Sequence, residues 1–114
     1  MAENSIVGLP TKWMEVTHSM AYFPLKLHKT YYEQGFFNVT VDFDGYVRDE
    51  EGPIPLLLGA GVVIEGRINR RANQNATARI HGGVPLRDWF QQNFACGDVV
   101  NVDLSSTEQI RLMK

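Results

Sequence analysis

The chain has 114 residues, 44 % hydrophobic and 21 % charged, with a formal net charge of −2 at pH 7, which fits one domain with a real core and disfavours non-specific coating of nucleic acid. A single cysteine, Cys96, excludes an internal disulfide and a cysteine-built zinc cluster and makes a reducing compartment the default. No run approaches about 18 consecutive apolar residues, so no membrane span is expected, and the opening MAENSIVGLP does not read as a signal peptide.

Residues 1–20 read as an N-terminal lead-in and residues 21–114 as a single domain. In the lead-in, Trp13, Met14, Val16 and Met20 make a loose apolar stripe that packs a Trp on the core, or else forms a partner-binding helix. Tyr22 to Leu27 alternates as a strand, and Pro24, with no N–H to donate, puts it at a sheet edge. HKTYYEQG, residues 28–35, is a polar and aromatic connection. Phe37, Val39, Val41 and Phe43 alternate with Asn38, Thr40 and Asp42, the clearest half-buried strand in the chain. Asp44-Gly45 and Glu51-Gly52-Pro53 mark turns.

Pro55 to Leu58 is an apolar run broken by Gly59-Ala60-Gly61. Val62, Ile64 and Ile68 then share one face of a strand, with Glu65 and Arg67 on the other. Thr77 to Ile80 is the return strand, placing Ala78 and Ile80 inward and Thr77 and Arg79 outward. After Gly82-Gly83 the period lengthens. Pro85 suits the first position of a helix over residues 85–95, with Leu86, Trp89, Phe90 and Phe94 at helical spacing and Gly97 as its stop. Residues 98–104 alternate again, residues 105–108 turn, and Ile110 to Met113 makes the last strand. Many short strands with a single helix before the final hairpin give a mostly-β barrel or pseudobarrel.

The segment Gly66 to Gly83, GRINRRANQNATARIHGG, concentrates the chemistry. Residues 66–87 carry Arg67, Arg70, Arg71, Arg79 and Arg87 and no acid, so with a net −2 the rest of the chain carries −7. Asn69, Asn73, Gln74 and Asn75 sit among these arginines. Guanidinium forks suit phosphate oxygens and the O6/N7 edge of guanine; carboxamides suit the N6/N7 edge of adenine. A loop so composed, hung between two strands, reads as a DNA-recognition loop. The plainer alternative is a solvated basic hairpin paired with acids elsewhere.

Catalytic chemistry is weakly represented. His18, His28 and His81 are far apart and none has metal-ligand spacing, and there is no nucleophile elbow or Walker loop. Asp42, Asp44, Asp49, Glu50 and Glu51 read as a solvated acidic turn region rather than a metal site. Cys96 lacks a neighbouring base and reads as a buried or half-buried inert thiol. No enzyme activity, metal or cofactor is expected.

From Val62 onward the order is strand, Arg/Asn-rich loop, short strand, glycine, helix carrying LRDWF, then GDVVNVDL opening a strand. Over residues 62–112 this order resembles the B3 DNA-binding domain of plant transcription factors, and still more the B3-like target-recognition domains of bacterial restriction endonucleases. The resemblance implies a DNA-binding pseudobarrel of about seven short strands that grips the major groove of double-stranded DNA with two arms. Asn69 to Arg79 would form the C-terminal arm and His28 to Gln34, after the Leu25–Leu27 strand, the N-terminal arm. It implies that Arg67, Arg70, Arg71, Arg79 and Lys29 hold phosphates or read guanine; around the HKTYYEQ connection Lys26, His28 and Lys29 are candidate phosphate contacts, or else Tyr31 and Tyr32 simply cap the core. Asn69, Asn73, Gln74 and Asn75 would read base edges, with Thr77 beside them. Arg70→Ala or Asn73→Ala is then expected to weaken binding without lowering the melting temperature. Catalysis would belong to a separate nuclease domain or subunit, and the compartment would be bacterial cytoplasm, or the nucleus for a plant-type regulator. The rival reading is a small barrel whose arginines answer an acidic peptide, a small anionic ligand or a partner protein.

Overall fold

Period-two burial becomes strands that roll around one apolar interior. The computed structural model describes residues 21–114, so the apolar stripe expected over Trp13 to Met20 lies outside the described residues. The strands are β1 (Tyr22–Lys26), β2 (Phe36–Asn38), β3 (Gly52–Leu58), β4 (Val62–Asn69), β5 (Arg79–His81), β6 (Val99–Asp103) and β7 (Ile110–Met113). The helices are α1 (Lys29–Gln34), α2 (Val41–Asp44) and α3 (Gly83–Asn93). The seven strands form one sheet in the order β1-β6-β7-β3-β4-β5-β2, antiparallel throughout except for the parallel β3–β7 pair. Its two edges, β1 and β2, are consecutive in the chain, and α1 joins them. The sheet is thereby nearly closed, a β pseudobarrel.

Inside it, Leu25, Phe37, Ile54, Leu56, Ile68, Ile80, Val100, Val102 and Leu112 are buried, and α3 adds Leu86 and Phe90. Each such side chain removed from water contributes roughly 1.5–3 kcal/mol before the entropy of ordering is set against it. Pro24 pairs with Asn101 on the β1 edge, as its missing N–H requires. The helices meet at Gly35, which ends α1 in a left-handed conformation (φ 76°) and whose carbonyl accepts the N–H groups of Gly82 and Gly83. A Cβ on Gly35 would collide with the Gly83 carbonyl oxygen, so only glycine allows this approach.

Several expectations need correction. The strand predicted from Phe37 to Phe43 stops early: Val39 still donates to the Ala78 carbonyl at 2.9 Å, but Val41–Asp44 is a helical turn with Val41 67 % exposed. The turn carries the Asp44 carboxylate to the Ala78 N–H (2.8 Å) and the Arg70 guanidinium, bonds that outweigh the extended preference of Val41. The connection after β1 contains a short helix, α1. The long helix spans Gly83–Asn93 rather than 85–95, because the Gly82 and Gly83 amides are already fixed on Gly35. Thr77, expected outward, is buried, and Cys96, expected buried or half-buried, is exposed.

Candidate nucleic-acid interface

The outward face of β2, β5 and β4 is a grid of side chains set by register. One row runs Phe36, His81, Arg67 and the next runs Asn38, Arg79, Asn69, while Phe37, Ile80 and Ile68 between them point into the core. Directly opposed residues of an antiparallel pair share a face, so the pairing delivers these six to one surface.

Arg79 is the centre of the grid. Its guanidinium carbon lies 4.5 Å from the centroid of the Phe36 ring. Its Nε donates to Asn38 Oδ1 at 2.9 Å and its Nη2 to Asn73 Oδ1 at 3.3 Å. Asn73 Nδ2 in turn donates to Asn38 Oδ1 and to the Thr77 carbonyl, both at 3.1 Å. No carboxylate pairs with Arg79 or Arg67 among the described residues. A fixed guanidinium without a counter-ion is a prepared anion or base-edge contact. His81, beside it, is held below the ordinary histidine pKa by burial first and by the Arg79 charge second.

The loop over residues 70–78 is tied down by side chains that the sequence reading assigned to DNA. Arg70 is turned inward: Nη1 donates to Asp44 Oδ1 and Oδ2 at 3.0 and 2.9 Å and to the Ala76 carbonyl, and Nη2 donates to the Val47 and Arg48 carbonyls, each at 2.9 Å. Only 15 % of its side chain is exposed. Asn69 Oδ1 accepts the Arg71 N–H at 2.8 Å, and Asn75 Oδ1 accepts the Thr77 N–H and hydroxyl, local turns that Asn side chains favour. Arg71 extends outward, its side chain 86 % exposed, and meets Glu51 at 2.8 Å. Glu51 also accepts the Arg70 N–H at 2.7 Å. These bonds, the Arg70 amide first and the Arg71 side chain second, hold its carboxyl below the usual range, and Glu51 raises Arg71 in return. Asp44 and Glu51 are therefore loop anchors and not a solvated acidic turn.

Comparison with known proteins bears on none of this. No protein-family model matches the chain, and no curated protein or solved structure matches it at a significant level.

Of the twelve residues expected at the site, the structure gathers Arg67, Asn69 and Arg79 on the grid, with Asn73 bonded to it. Arg71, Gln74 and Asn75 are exposed on the loop, whereas Arg70 and Thr77 face inward. Lys26, His28 and Lys29 are exposed where β1 passes into α1. Only His28 is linked to the grid, through a ring chain: His28 lies 5.4 Å from Tyr31, Tyr31 5.3 Å from Phe36, and Phe36 5.9 Å from His81. Phe36, Asn38 and Glu51 were missed. The alternation that buries Phe37 already places Phe36 and Asn38 outward; nothing local marks Glu51.

Two hollows adjoin the grid. One, about 640 Å³, is lined by Tyr31, Asn38, Thr40, Asn73, Gln74 and Asn75 among others; the second, about 620 Å³, by Glu51, Arg67, Asn69, Arg71 and His81. Polar donors on a concave surface beside exposed cations suit an extended anionic partner better than a small apolar ligand. Among the described residues no group of three His, Cys, Asp or Glu side chains is disposed to hold a metal, and no helix is long and apolar enough to cross a membrane.

Proposed function

We propose that this chain binds double-stranded DNA, presenting the β2–β5–β4 face and the 70–78 loop to the major groove. The observation that carries the reading is Arg79, set 4.5 Å over the Phe36 ring, fixed by two carboxamides and free of any carboxylate among the described residues. Arg67 extends the cationic surface, Arg71 projects beside it paired with Glu51, and His28, Lys29 and Lys26 offer phosphate contacts from the other arm. On this reading the chain is a recognition module of B3-like kind, serving a restriction endonuclease or a regulator, with any strand cleavage performed by another domain or subunit. The wider chain is acidic, so contact is restricted to the cationic face, which favours a specific site over indiscriminate coating.

The experiment is selection from a random duplex pool with the full chain, followed by titration of the recovered duplex by fluorescence anisotropy. Retention of a defined sequence is expected, with Arg79→Ala weakening it at least tenfold. A chain that recovers no duplex, or an acidic peptide competitor that displaces all duplex at equal charge concentration, overturns the proposal.

A further inference from the structure

The carboxamides around Arg79 keep more open donors than open acceptors. A bidentate contact to adenine needs both the oxygen and the amino group of one Asn or Gln. Asn38 Oδ1 already takes Arg79 Nε and Asn73 Nδ2, Asn73 Oδ1 takes Arg79 Nη2, Asn75 Oδ1 takes the Thr77 N–H and hydroxyl, and Asn69 Oδ1 takes the Arg71 N–H. The oxygens of Asn38 and Asn75 are thus saturated and those of Asn69 and Asn73 half used, whereas Nδ2 of Asn38, Asn69 and Asn75 has no partner among the described residues. Only Gln74 keeps both ends of its amide wholly open.

Arg79 is biased the same way. Of the five N–H groups of a guanidinium, the Nε hydrogen and one Nη2 hydrogen are spent on Asn38 and Asn73. These form the side-on fork. The end-on fork, one hydrogen from Nη1 and the second from Nη2, has no partner among the described residues, and its spacing matches the O6 and N7 acceptors of guanine.

We infer that this face is a guanine reader: Arg79 takes guanine O6 and N7 through its end-on fork, and the surrounding Asn Nδ2 groups donate to neighbouring base or phosphate acceptors. The inference rests on the DNA-binding reading above and places the central contact on guanine, leaving adenine to Asn69 and Gln74, whose amides keep both a donor and an acceptor. The Phe36 ring beneath it and the bonds to Asn38 and Asn73 hold the guanidinium in place, so the fork is aimed before DNA arrives and little ordering entropy is lost on contact.

The test uses the full chain and the duplex recovered by random selection, resynthesised with 7-deazaguanine at each guanine in turn. At one position the substitution, which removes N7 and leaves pairing intact, is expected to weaken binding roughly tenfold, against less than twofold elsewhere. Arg79→Lys, which keeps the charge and loses the fork, is expected to bind the unmodified duplex with the weakened affinity and to be indifferent to 7-deazaguanine there. Specific binding to a site that lacks guanine, or that tolerates 7-deazaguanine at every position, refutes guanine reading while leaving DNA binding intact and reduces Arg79 to a phosphate contact. Recovery of no duplex at all removes both.

Discussion

Two arginines nine residues apart, alike in type but not in role, show what a sequence withholds at the scale of the residue. Arg70 and Arg79 are equally basic on paper. Arg70 satisfies Asp44 and three backbone carbonyls beneath the loop, whereas Arg79 lies on an aromatic ring with its far edge unpartnered. Removing Arg70 leaves a half-buried carboxylate and several carbonyls short of donors, at a cost of about 2–3 kcal/mol. Arg70→Ala is therefore expected to lower the melting temperature by roughly 10 °C, reversing the expectation that this variant would leave stability untouched; an unchanged thermal unfolding curve would refute the clamp. Arg67→Ala, at an exposed position, should leave that curve in place. His81 gives a pH test with two opposite signs. Its native pKa is depressed below the ordinary 6.5, so between the two values the unfolded chain binds more protons than the native one. The stability it contributes is thus present above about pH 6.5 and is lost as pH falls toward the native pKa. Duplex affinity should instead rise over the same interval, because a phosphate favours the imidazolium. Melting temperature and anisotropy at pH 7.5 and 5.5, for the parent chain and for His81→Gln, measure both trends, and both should be smaller in the variant.

At the scale of the element, periodicity located six of the strands and the main helix because burial on one face leaves a regular imprint. It failed between Val39 and Asp44. The apolar alternation there continues on paper, but a carboxylate wanted by the Ala78 amide and by Arg70, distant in sequence, bends the chain into a turn. Local pattern carries no record of so distant a partner. The short α1 was equally hidden: it has no buried residue and no side-chain cap, so neither amphipathic spacing nor a capping signal announces it. It is held through its C-terminal glycine. Gly35→Ala would need both a left-handed backbone at a non-glycine residue and room inside the α1–α3 junction that Gly83 occupies. A loss of at least about 3 kcal/mol is expected by urea denaturation. Gly61→Ala, with nothing within 4 Å of the added carbon, should change stability by no more than about 0.5 kcal/mol. Equal midpoints for the two variants would show that the junction does not hold the edge of the barrel.

For the whole molecule, the uneven distribution of charge was legible, and its consequence was only half legible. The excess of five positive charges over residues 66–87 stands out against an acidic remainder, but the sequence does not say how much of it is already neutralised. In the folded chain Asp44 consumes Arg70, Glu51 consumes Arg71 and Asp88 consumes Arg87, so Arg67 and Arg79 are the two of the five left without a carboxylate among the described residues. Counterion release makes this measurable, since each phosphate neutralised contributes about −0.9 to the slope of log affinity against log salt. With contacts from the second arm, the slope should lie near about −3, well short of what five free arginines would give. Glu51 sets that number. Its carboxylate sits on the Arg70 amide and the Arg71 guanidinium, donors that a backbone phosphate would compete for under the proposed DNA binding. Glu51→Gln is expected to strengthen duplex binding severalfold and to steepen the slope by about one unit, while relaxing discrimination between the selected duplex and a scrambled one, because the gain falls on a sequence-blind contact. A variant with parental affinity and slope would mean that DNA never comes within reach of Arg71, and the cationic face would then have to be confined to the grid around Arg79.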